Sequence, residues 1–254
     1  MGIYVYAISR AADDALPPLQ GILDQPVYRL ASGPLAAFVS DCTLEIVRAE
    51  RKHIAASQRV LQVLNAQFDL LPMAFGTVAQ SADALSRLLE EYRDALTAQL
   101  QRVAGAVEMG LRLNLDVTDP IAYLVERTPE LRAARDRLFH RHKQPSHDER
   151  IRVGQLCDEA LRRYRETQTT QMMALLGPSC VGIAALAVRE ENEVSSLAVL
   201  VQRDAIDRFE TAVNVAAAQL ADELAVTISG PWPPYNFVRL NLHESLGEYH
   251  AADR

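Results

Sequence analysis

The 254-residue sequence has a single tryptophan, three cysteines and six phenylalanines, and aromatic residues make up only 6% of it. Cys42, Cys157 and Cys180 are odd in number and far apart, which excludes a disulfide framework and fits no zinc spacing. They read as buried, reduced thiols of a cytoplasmic protein. Positive charge is also short: 26 Lys and Arg stand against 33 Asp and Glu, for a net charge of −7 at pH 7. Nucleic acid and anionic membrane surfaces both require a positive field, so neither is expected as the main partner. The N-terminus shows no basic stretch followed by an apolar one, and no export signal is expected. Walker loop, dinucleotide fingerprint, Gly-x-Ser-x-Gly elbow and His-Glu-x-x-His pair are all missing. No catalytic residue, metal or cofactor is assigned, and the chain is read as a non-enzyme.

One run, residues 167–188, has no charged residue and is long enough to span a bilayer. Its four polar residues at 168–171 and the break at Gly177-Pro178-Ser179 point instead to a helix end, a turn and a buried strand. Membrane insertion is not expected.

What is present is a globular composition, 49% apolar and 23% charged, sufficient for one large domain or two ordinary ones. Alternation predicts a strand over 3–8, and two further strands about the turn Ser32-Gly33-Pro34 read as a hairpin. A helix is predicted over 47–66 and a short buried strand over 68–74, closed by Gly76. From Ser81 a second helix carries the clearest apolar stripe, through Leu85, Leu88, Leu89, Tyr92, Leu96, Leu100 and Val103. From 107 to 229 the predicted order is β-α-β-β-α-β, the split arrangement of ferredoxin-like folds. The fold class is therefore α+β in two domains. Residues 1–104 form a mixed sheet with helices on one face. Residues 105–238 form a ferredoxin-like domain with a helical insertion at about 118–145, and 239–254 form a polar tail.

Candidate sites divide into functional and structural readings. His140, His142 and His147 lie close together, but residues two apart diverge on a helix and the arginines around them repel a cation. The basic stretch 132–143 reads as a solvated face, with an acidic protein partner as its functional alternative. Glu108 reads as exposed on a strand edge; buried, it would need a partner or a shifted pKa. Residues 71–76 read as a core strand ending in a tight turn rather than as a binding loop.

The most unusual stretch is Gly230-Pro231-Trp232-Pro233-Pro234-Tyr235-Asn236-Phe237-Val238. Three prolines in four residues exclude helix and central strand and leave a stiff strap. Trp232, Tyr235 and Phe237 put large apolar faces on it. They either meet a partner or fold back onto the protein's own sheet.

This block resembles the C-terminal signature of the gas vesicle protein F/L family. Three further matches fall in the family's order: the opening strand 3–8, the block Leu71-Pro72-Met73-Ala74-Phe75-Gly76-Thr77, and the stretch 107–113 with Glu108 and Gly110. Ala74 stands where the family commonly has arginine. The resemblance implies a two-domain α+β build and a cytoplasmic, vesicle-associated accessory protein. Its implied partners are the major hydrophobic shell protein and other accessory proteins of the vesicle. The rivals are a small-molecule-binding or enzymatic domain pair, using Glu108 or His53, and a minor structural component of the vesicle wall.

Overall fold

The structure is a computed structural model that describes residues 2–12, 14–44, 47–139 and 146–239. Its fold is mixed α+β, with seven α-helices and two sheets among the described residues. The chain separates into two compact units, Met1–Glu108 with the strap from Pro231 onward, and Met109–Gly230.

The first unit is built on β1 (Gly2–Arg10), which pairs antiparallel with β3 (Leu35–Cys42), itself paired with β2 (Tyr28–Ser32). Gly33, at φ +58°, supplies the left-handed residue that the β2–β3 turn needs. On its other side β1 pairs with β4 (Leu71–Pro72) and β5 (Val78–Ala79). Alternation sends Tyr4 and Tyr6 toward α1 (Arg51–Asn65), whose Val60, Leu61 and Leu64 share one core with them. Ile3 and Val5, on the opposite face of β1, are just as buried, so the sheet is covered on both faces rather than one.

The helix expected from Ser81 to Val103 is two helices, α2 (Ala82–Glu91) and α3 (Arg93–Arg102). Tyr92, at φ −98° and ψ 15°, leaves helical geometry between them. The buried stripe survives because Leu85, Leu88, Leu89, Leu96 and Leu100 stay inside. Ser81 caps α2, its Oγ accepting from Ala84 N–H at 3.1 Å.

The second sheet has the order β7-β8-β6-β9, formed by β6 (Ala106–Leu115), β7 (Gly182–Leu186), β8 (Glu193–Gln202) and β9 (Leu224–Trp232). Between β6 and β7 run α4 (Pro120–Arg127), α5 (Pro129–Phe139) and α6 (His147–Leu176); α7 (Ile206–Ala217) lies between β8 and β9. Asp119 before Pro120 caps α4, and a Ser146/Glu149 capping box starts α6. A 3-10 turn, Arg203–Ala205, leads into α7, which begins at Ile206 without a side-chain cap. Arg165 of α6 ties down the β7–β8 connection, donating to the carbonyls of Glu190, Glu191 and Glu193. Gly110 marks a close approach of β6 to β9, since a Cβ there would stand 2.5 Å from Ser229 Oγ.

Three expectations change. The uncharged run does become a helix end, a turn and a strand, but that strand, β7, contains no buried residue. Only Cys42 is fully buried; Cys157 and Cys180 are partly exposed, and all three are free. Residues 231–238 group with Met1–Glu108 rather than with Met109–Gly230. The side chain and backbone of Asn236 both bond to Glu108 there.

Candidate functional site

Strand β9 runs further than expected, through Pro231 and Trp232. β9 is an edge strand, and sheet edges are where a proline is tolerated. The chain then turns over 235–237, with Tyr235 N–H bonded to Pro233 O at 2.8 Å and Phe237 N–H to Pro234 O at 3.2 Å. The strap divides its side chains by role. Pro233, Pro234 and Phe237 are buried, whereas Trp232 and Tyr235 are 39% and 45% exposed.

Glu108 holds this strap in place. Its Oε2 accepts from the backbone N–H of Asn236 at 2.8 Å, and its Oε1 accepts from Asn236 Nδ2 at 2.6 Å. The expected exposed edge position is wrong, because β6 lies between β8 and β9 and Glu108 is only 6% exposed. Its partner is an amide, not a base. Desolvation pushes the Glu108 carboxyl above the ordinary glutamate range, against the opposing effect of the two Asn236 donors. The Tyr235 hydroxyl is pushed up to about 12, first by desolvation and then by Tyr4 and Glu108, although much of the residue remains exposed.

The stretch 71–79 shapes the neighbouring part of the same unit. Ala7 pairs with Pro72 and Tyr4 with Val78, so five residues, 73–77, oppose two of β1, a bulge of three extra residues. The bulge is stitched to β1 by Met73 N–H to Tyr6 O, by Val5 N–H to Thr77 O, both at 2.9 Å, and by Gly76 N–H to Tyr4 Oη at 3.1 Å. Phe75 stands edge-on to Tyr4, with ring centroids 6.3 Å apart, and Ala74 is exposed. Gly76 has φ +87° with nothing nearer than 3.8 Å to a Cβ. Gly76→Ala is therefore expected to cost about 1–2 kcal/mol from backbone strain alone, read as a lower midpoint in urea.

Other candidates do not assemble into a site. His53 is buried in α1 with Nδ1 3.1 Å from Arg48 O. Among the described residues no three metal-ligating side chains converge. His140 and His142 lie outside those residues, as does the tail beyond Arg239. On α5, Arg135 pairs with Asp136 at 2.9 Å. Two open depressions, of about 260 and 320 Å³, flank α6; Arg137 and Arg152 line one, Arg127, Arg163 and Tyr164 the other. Neither includes Glu108 or His53. No helix among the described residues is long and apolar enough to cross a membrane.

Set against known proteins, residues 2–239 match the family profile of gas vesicle synthesis protein GvpL/GvpF. The chain belongs to the GvpL/GvpF family. Gas vesicle protein F of a Streptomyces strain is 30% identical over 245 residues, covering 94% of this chain and 100% of that protein. Gas vesicle protein L1 of Halobacterium salinarum is 24% identical over 260 residues, covering 93% of this chain and 90% of that one. The crystal structure of GvpF from Anabaena sp. PCC7120 superposes with a TM-score of 0.80 at 24% identity, and that from Microcystis aeruginosa with 0.79 at 22%. Each covers 94% of this chain and 99% of its own. GvpL/GvpF is a family of gas vesicle proteins and not a known enzyme family, and the role of this member is gas vesicle-related. Sequence reasoning missed the Glu108–Asn236 clamp. A glutamate among apolar residues was its one visible signal, and nothing local pointed to Asn236.

Proposed function

We propose that this GvpL/GvpF member is a non-enzymatic accessory protein, cytoplasmic and vesicle-associated, that binds the small hydrophobic shell protein during vesicle formation. In this reading it keeps shell subunits from aggregating before they are placed in the growing wall, since apolar shell surface costs less covered than in water. Other accessory proteins of the vesicle are its further partners. The observation that supports it most is the strap, where Trp232 and Tyr235 remain exposed on a backbone stiffened by prolines and clamped by Glu108. Large aromatic faces already held in position lose little entropy on docking, which is the character of an interface anchor. The second unit is proposed to be ferredoxin-like; its strand order β7-β8-β6-β9 and the helices before β7 and before β9 support this.

The paired substitution Trp232→Ala and Tyr235→Ala tests the reading. More than half of each residue is covered, so the midpoint of unfolding is expected to fall modestly, and binding is compared where the variant is fully folded. Affinity for purified shell protein is expected to fall at least tenfold, as truncating anchor aromatics costs about 2 kcal/mol each. A wild-type chain that does not bind the shell protein, in cells that form normal vesicles after its deletion, would overturn the proposal.

A further inference from the structure

The end of the uncharged run, β7, is an unguarded edge of the second sheet. From 181 to 188 eight successive residues are apolar or glycine, and none is buried. Val181 is 52% exposed and Leu186 37%, while the neighbouring β8 is buried at nine of its ten positions. β7 is paired on one side only, with β8, in unbroken register from Gly182↔Leu200 to Leu186↔Ser196. Among the described residues no strand covers its other side. Sheets guard such edges with charge, proline, a bulge or a covering element, because a bare row of N–H and C=O groups recruits another strand. β7 carries no charge, no proline and no bulge. The opposite edge strand, β9, contains Pro231 and runs into the strap.

We propose that the outer edge of β7 takes up an extended, uncharged apolar segment of the shell protein as a fifth strand. The proposal rests on the shell-binding reading above and gives that partner a place on the fold. Backbone hydrogen bonds supply affinity with little demand on sequence. Side chains then set the class of partner. Gly182, Ala184 and Ala185 leave a low surface beside the edge, which large apolar side chains of an incoming strand cover. β7 itself offers no counter-charge to a charged residue there. A second copy of this chain fits less well, since each protomer has a net charge of −7 and a glycine- and alanine-rich strand offers its own copy little side-chain surface. A strand addition over five residues is far smaller than the roughly 1,200 Å² or more of a stable interface, so the contact is reversible, as handing subunits onward requires.

Hydrogen–deuterium exchange of the full chain, alone and with purified shell protein, tests this together with the paired substitution Ala185→Lys and Leu186→Lys. Both positions are exposed, so the variant is expected to keep the wild-type melting temperature. With the shell protein bound, amides at 183–187 are expected to exchange at least tenfold more slowly, and the lysine pair to weaken binding at least tenfold. Binding that leaves these amides unprotected and is indifferent to the lysines overturns the edge site while shell binding stands. A wild-type chain that does not bind the shell protein overturns both. A dimer seen by light scattering in the wild type and lost in the lysine variant would make a second copy the occupant and overturn the proposal.

Discussion

Gly21→Ala is expected to lower the unfolding free energy by about 2–4 kcal/mol. Gly21 is required for space rather than for conformation, since its φ of −100° and ψ of −151° are open to other residues. A Cβ built there lands on Tyr6 Oη and stands 2.9 Å from Tyr6 Cζ and 3.0 Å from Val27 Cγ2. Tyr6 cannot move aside freely. It is 1% exposed, its hydroxyl accepts the N–H of Ile22 at 2.8 Å, and it shares a hydrogen bond with Ser40 Oγ at 2.9 Å. Pushing the ring out leaves a buried donor unpaired as well as straining the core. Gly33→Ala is the control, because φ +58° costs about 1 kcal/mol of strain while the nearest atom to its Cβ is 4.0 Å away. Urea denaturation should place the Gly21 variant well below the Gly33 variant; equal midpoints would refute the steric account. The Tyr6→Phe background should reduce the penalty at Gly21, a coupling that a double-mutant cycle reads directly.

Glu108→Ala is expected to free the strap. Two hydrogen bonds to a carboxylate are lost and the Asn236 donors are left without it, for a cost on the order of 2–3 kcal/mol. Trp232 is the only tryptophan, so its fluorescence reports the strap alone, and its emission is expected to shift in the variant before global unfolding. An unchanged spectrum and midpoint would show that the clamp does not hold the strap. The same residue makes stability depend on pH with a definite sign. Desolvation raises the folded pKa above the ordinary glutamate value, so in the window between the two the native chain keeps a proton that the unfolded chain has lost. Stability from this group is full below the ordinary value and falls as pH rises through the raised one. Glu108→Gln should remove that fall, and an identical pH profile for wild type and variant would contradict it.

Much of the fold could be read along the chain. The Ser32-Gly33-Pro34 turn, the Ser81 cap and the stripe from Leu85 to Leu100 are local signals, acting within a few residues, and the hairpin and helices they predict are present. Tyr92 was harder, because an unbroken apolar stripe carries no mark of a bend in the backbone. At 68–74 the apolar residues suggested a longer strand than the two residues of β4, since the bulge at 73–77 depends on how this stretch meets Val5 and Tyr6 of β1. β7 misled in the opposite direction. An apolar run reads as buried when only composition is visible, and position at the sheet's edge overrules it.

By itself the sequence determined the family, the α+β class and most of the elements, because motifs, caps and periodicity are written in neighbouring residues. Only the tertiary structure decided that Glu108 is buried against Asn236, 128 positions away, that the strap turns Pro233, Pro234 and Phe237 inward and Trp232 and Tyr235 outward, and that β7 is left bare. The physical reason is common to all three. Burial and pairing are properties of what lies opposite a residue, and for these residues that is set by segments far away in the chain.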